Sequence, residues 1–122
     1  MVKLIFCARR LPSLSQEDFQ RYWLDAHAPL VRKHAHVLRI KRYVQLHPEF
    51  ERLSEAIRKS RGAPEPYDGV AELWFESPDD LRAAAATPEG RAAGAELIED
   101  EKRFIDHGRS PLWFGSERLI IG

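Results

Sequence analysis

Five histidines are the side chains best suited to proton transfer near neutral pH, and His27 has the most suggestive neighbours. Phe19, Tyr22, Trp23 and His27 recur at three- and four-residue spacing, so one helical face carries three aromatics with an ionisable ring at its edge. An imidazole partly desolvated beside Tyr22 and Trp23 suits general acid-base catalysis. It equally suits a structural role, donating to a backbone carbonyl freed by the kink that Pro29 imposes. Tyr43 and His47 share one face of an alternating stretch, about 13 Å apart by strand rise. The Tyr43 phenol can hydrogen-bond a substrate carbonyl or enolate oxygen, and His47 can assist from the strand end. Interface packing for Tyr43 and plain exposure of His47 before Pro48 are the alternatives. These three are the candidate catalytic residues.

Candidate substrate contacts are Tyr22, Trp23, Asp68, Glu72 and Trp74. Glu72 is a carboxylate in a mostly apolar strand, which is costly unless paired. It either orients a histidine or bridges to Arg42 or Arg118. Trp74 stands on the same face and can wall an aromatic pocket, whereas Phe75 is expected in the core. Asp68 precedes Gly69 and also suits a turn.

Other chemistries have weaker footing. His34 and His36 form a His-x-His pair with no third ligand near in sequence, so no metal centre is expected. A haem would need an axial ligand such as His27 or His107, but His107 before Gly108 suits a helix end. Arg9 and Arg10 could meet an anionic substrate. Cys7 is the only cysteine, which excludes an internal disulfide, fits a reducing compartment and predicts an inert packing residue. There is no Gly-rich phosphate loop, Gly-x-Ser-x-Gly elbow or Cys-x-x-Cys. Nineteen basic residues balance nineteen acidic ones, which argues against a nucleic-acid binder and against a membrane partner held by charge. No stretch nears the ~20 apolar residues of a membrane span, and the start lacks a signal-peptide pattern. A cytoplasmic protein is expected.

The elements that must position these groups follow from pattern. Val2–Ala8 is a nearly continuous apolar strand. Ser15 caps a helix, with Asp18 in a weaker capping box, and Pro29 should kink or end its regular part near His27 and Ala28. Residues 39–47 alternate as a strand, with Ile40, Arg42, Val44 and Leu46 on one face and Lys41, Tyr43, Gln45 and His47 on the other. Phe50, Leu53 and Ile57 mark a short helix in a long connection. Gly69–Phe75 is a third strand. Ser77-Pro78 and Thr87-Pro88 start two helices. The second carries Leu97, Ile98, Glu101, Phe104 and Ile105 on one side and ends at Gly108. Leu112–Ile121 is the last strand.

With 122 residues, one domain over 1–122 is expected. The order predicts an α+β, ferredoxin-like fold: a four-stranded antiparallel sheet with helices on one face. Phe6, Trp74, Leu112, Trp113 and Phe114 place apolar groups on both sheet faces. A homodimer, open sheet face against open sheet face, is the simplest cover.

Several motifs together resemble the EthD family of the dimeric α+β barrel superfamily. They are Val2-Lys-Leu-Ile-Phe6, Phe19-x-x-Tyr22-Trp23-x-x-x-His27-Ala-Pro29-Leu30, Arg42-Tyr43-Val44-Gln45, Asp68-Gly69-Val-Ala71-Glu72-Leu73-Trp74-Phe75 and Phe104-Ile-Asp106. The resemblance spans nearly the whole chain. It departs at Leu46, where many members look to carry an Asn before the histidine.

The resemblance implies a homodimer without an obligatory cofactor. It raises the expectation of a cofactor-independent acid-base enzyme (dehydratase, cyclase, isomerase or decarboxylase) acting on a small aromatic, lactone or polyketide-like carbonyl compound. In that scheme His27 moves a proton next to the carbonyl and Tyr43 stabilises the enolate oxygen. A cofactor-free or haem-using monooxygenase and a non-catalytic ligand-binding accessory of a catabolic oxygenase system are the alternatives. Fold-level likeness alone does not choose among them.

Overall fold

The computed structural model describes residues 1–122. Val2–Ala8 forms β1 and Gln16–Tyr22 forms α1. Ser15 caps α1 through the Asp18 N–H. One wide π turn, Trp23–His27, then leads into α2, Ala28–Leu38. Pro29 therefore does not stop the helix. Having no N–H to donate, and with its ring crowding the carbonyl four residues back, it makes an ordinary turn costly there. The chain widens, and the Ala28 N–H reaches the Trp23 carbonyl instead. Such expansions often accompany functional sites.

Arg39 ends α2 in a left-handed conformation, so β2 is shorter than its alternating pattern and runs Arg42–Leu46. Helix α3, Glu51–Arg61, closes on Gly62 at φ +61°. Gly69–Phe75 is β3, and α4 (Pro78–Ala85) and α5 (Pro88–Glu101) follow, capped by Ser77 and Thr87. Helix α5 ends at Glu101 and does not continue to Gly108. The Phe104 carbonyl accepts from Leu11 and the Asp106 N–H donates to Arg9, so tertiary hydrogen bonds take the groups a longer helix would use. Gly108 instead lies in a short 3₁₀ turn, His107–Arg109.

Strand β4 covers only Leu112–Gly115, not the stretch to Ile121. Its register sets Gly115 opposite Lys3, one residue from the start of β1, and the chain beyond has no strand to pair with. The sheet order is β2-β3-β1-β4, all neighbours antiparallel. This is the ferredoxin-like arrangement expected.

Register sorts the two faces. Leu4, Phe6, Tyr43, Gln45, Ala71 and Leu73 lie toward the helices. Lys3, Ile5, Cys7, Val44, Glu72 and Trp74 lie on the open face. Phe19, Trp23 and Phe104 are essentially fully buried between sheet and helices. Each fully buried aromatic contributes on the order of 2–3 kcal/mol through the hydrophobic effect. Gly69 is required where it stands, because a Cβ there would run into the Trp23 ring, 2.7 Å from Cη2. No helix is long and apolar enough to cross a membrane.

Candidate active site

A cavity of about 570 Å³ lies between the sheet and helices α2, α4 and α5. Nineteen of its 24 lining residues are hydrophobic, so it suits a mostly apolar ligand oriented by a few polar groups. The residues that can supply them are His27, Tyr43, Arg91 and Glu101.

His27 ends the π turn and is 5% exposed. Its Nδ1 lies 2.8 Å from Asp100 Oδ2, and its ring sits 5.0 Å from that of Phe104. A carboxylate only accepts, so Nδ1 carries a proton, and in the neutral imidazole Nε2 presents a lone pair. Nε2 has no protein partner. The second oxygen of Asp100 accepts from Tyr22 at 2.6 Å. Burial and the bond to that carboxylate push the Tyr22 phenol up from its ordinary value, so it stays a neutral donor. Tyr22 thus acts on Asp100 from outside the cavity lining.

Tyr43 reaches the cavity from β2. Burial pushes its phenol up, while the Gln45 amide and the Trp23 indole act the other way and Glu101 adds to the rise. Trp23 also lines the cavity. His47 does not. It stacks on Trp23 at 4.6 Å between ring centroids and borders a second, more polar groove with Arg32, Gln45 and Glu49, which Tyr43 also lines. Burial lowers its pKa from 6.5, against an opposing pull from Glu49.

Three expected substrate contacts stand elsewhere. Asp68 accepts from the Arg10 backbone N–H at 2.9 Å and from its guanidinium at 3.0 Å, tying the end of β1 to the start of β3. Glu72 pairs with Lys3 at 2.7 Å, not with a histidine, Arg42 or Arg118. Trp74 lies beside that pair, with Lys3 and Arg42 over its ring. Alternation places Glu72 and Trp74 on the open sheet face, opposite the cavity. Most of the remaining groups are also engaged. Arg9 donates to the Pro66 carbonyl, His34 meets Glu96 of α5 at 2.9 Å, and His107 meets Glu101 at 2.9 Å. Cys7 is buried, which pushes its thiol up.

Asp100 was not singled out from sequence. Its signal is present all the same, as a carboxylate three residues after Leu97 and four before Phe104, inside the apolar periodicity that runs from α5 into the turns after it. Gln45 was likewise passed over, although it shares a strand face with Tyr43 and His47.

The chain is similar to several known proteins. Decarboxylase claH of Passalora fulva is 25% identical over 111 residues, 87% of this chain and 69% of that protein. An EthD family protein from Bacillus halodurans superposes with a TM-score of 0.63 at 23% identity, covering 97% of this chain and 99% of that one. A dimeric ferredoxin-like protein from Thermobifida fusca gives 0.58 at 14%, covering 95% and 90%. SnoaB of Streptomyces nogalater, a cofactor-independent oxygenase, gives 0.56 at 12%, covering 98% and 95%. At such identities the superpositions establish a common fold. The EthD domain profile matches residues 11–108, from the loop after β1 to the turn before β4, and the chain belongs to the EthD family.

Proposed function

We propose that the protein is a cofactor-independent acid-base enzyme acting on a small aromatic, lactone or polyketide-like carbonyl compound. One observation carries the reading: the buried His27, bonded to Asp100, lines the same apolar cavity as Tyr43. Asp100 holds the imidazole in the tautomer whose Nε2 can take a proton, and stabilises the imidazolium that results. The electron pair left by a departing α-proton moves onto the carbonyl oxygen, where Tyr43 donates to the enolate. In decarboxylation the same enolate forms as the bond to CO₂ breaks, and a protonated His27 supplies the proton to carbon. The likeness to a decarboxylase makes that reaction the first to assay. The burial of His27 favours chemistry over a solvent-open accessory role.

The test is a panel of hydroxyaryl and β-keto carboxylic acids, followed by CO₂ release and by solvent deuterium exchange at carbon. On any substrate converted, His27→Ala lowers kcat by about 10²-fold or more, the usual scale of a general acid-base group. Unchanged turnover in that variant would end the proposal. Oxygen uptake with anthrone, in place of exchange or CO₂ release, would redirect it to an oxygenase.

The open sheet face supports a homodimer. Val44 and Trp74 flank the Lys3–Glu72 pair there, and Trp113 is about half exposed beside them. A second copy laid on this face would cover apolar surface that a monomer leaves wet.

A further inference from the structure

We infer that Gln45 and His47 are positioning residues that aim the proton of Tyr43 into the cavity, through a hydrogen-bond chain whose direction is set by the carbonyl of Trp23. The inference rests on the acid-base reading for its purpose, but not for its geometry. Gln45 Nε2 lies 2.9 Å from the Trp23 carbonyl oxygen. A carbonyl can only accept, so this end of the Gln45 side chain is the NH₂ group and the amide cannot be turned over. The second N–H of the same nitrogen points at the Tyr43 oxygen, 2.8 Å away. Tyr43 therefore accepts from Gln45, and its own O–H has no protein acceptor. Tyr43 borders both the cavity and the polar groove. Gln45 lines only the groove and bonds the phenol from that side, which leaves the cavity side for the proton and for a carbonyl or enolate oxygen of a ligand.

The other end of Gln45 extends the chain. Its Oε1 lies 2.8 Å from His47 Nε2. An amide oxygen only accepts, so His47 carries its proton on Nε2. Burial lowers the pKa of this imidazole, which favours its neutral form. The order is thus His47 to Gln45 to Tyr43 to ligand, every bond donating in one direction. Such a run polarises each successive donor, so Tyr43 becomes a stronger partner for developing negative charge than an isolated phenol. The π turn has a part in this. It brings the Ala28 N–H to the Trp23 oxygen, which then accepts from both Ala28 and Gln45. The stack of His47 on Trp23 fixes the far end. His47 therefore works from outside the cavity and touches no substrate.

The experiment needs no substrate. Protein labelled with ¹³Cζ-tyrosine gives three signals, and Tyr43→Phe assigns one of them. ¹⁵N-labelled histidine reports the tautomer of His47. The expected result is a neutral His47 protonated on Nε2. Gln45→Leu then shifts the Tyr43 Cζ signal while those of Tyr22 and Tyr67 stay put. His47→Leu shifts the Tyr43 signal in the same direction, and His47→Gln, which keeps an N–H donor, restores it. His47 protonated on Nδ1, or a Tyr43 signal unmoved in a folded Gln45→Leu protein, overturns the chain. On a converted substrate, Gln45→Leu costs about tenfold in kcat with KM nearly unchanged, equivalent to ~1.4 kcal/mol of transition-state stabilisation. Confirmed NMR signatures without turnover on any substrate would count against the acid-base reading and leave the chain standing.

Discussion

At the scale of single residues, Asp100 matters as much as His27. It is the only side chain bonded to the imidazole, and Tyr22 occupies its other oxygen. Asp100→Asn keeps the shape and removes the charge that favours the Nδ1–H tautomer and the imidazolium. Its kcat falls about 10²-fold on a converted substrate, close to the loss from His27→Ala, as steady-state kinetics would register. A wild-type kcat in Asp100→Asn would remove Asp100 from the mechanism. His47 makes a separate prediction from stability. Its pKa is lower in the folded protein than the unfolded 6.5, so the unfolded chain binds the proton more readily. The stability this half-buried ring contributes is complete above about pH 6.5 and is lost as pH falls through the lowered folded value. The urea midpoint of the wild type should therefore fall more steeply between pH 7.5 and 5 than that of His47→Gln. Parallel curves would show that His47 does not titrate differently on folding.

Elements carry the next layer. The π turn at Trp23–His27 and the start of β3 at Gly69 form one device, because the Trp23 ring rests where a Gly69 side chain would be. Gly69→Ala must push the indole aside, and with it the surface on which His47 stacks. The cost is about 1–3 kcal/mol, the range for overfilling a close contact, read as a lower denaturation midpoint. A melt identical to wild type would mean that the indole has room to move. The sequence makes much of this layer legible. Ser15, Ser77 and Thr87 announce their helices and cap them, and alternation sorts the faces of the paired strand residues, whereas Ile40, ahead of β2, lines the cavity instead of joining Arg42 and Val44 on the open face. Boundaries were less legible where long-range bonds set them. Arg9 and Leu11 claim backbone groups of the segment after α5, and β1 limits how much of the last segment can pair as β4.

For the molecule as a whole, the two sheet faces divide the labour. The helical side holds the cavity, and the open side holds Lys3, Glu72 and Trp74 with their apolar neighbours. If that open side is a dimer interface, sedimentation equilibrium gives twice the 14.1 kDa chain mass. Val44→Glu, which sets a second carboxylate opposite Glu72, returns it toward a single chain, since an unpaired buried charge is costly. A wild type of 14.1 kDa across micromolar concentrations would refute the interface. The same division explains why Glu72 and Trp74 were credible substrate contacts by residue type yet stand away from the cavity. Residue type says what a side chain can do, whereas strand parity and register say where it is.

The sequence by itself determined the elements, the faces of the strands, the family and the candidacy of His27 and Tyr43, because each depends on local periodicity, capping or short motifs. Tertiary structure alone decided which groups meet. Asp100 reaches His27 across 73 residues of chain, and Gln45 reaches the Trp23 carbonyl across 22. No local pattern encodes such pairings. They arise when burial brings donors and acceptors from different elements into a space where leaving them unpaired would cost more than pairing them.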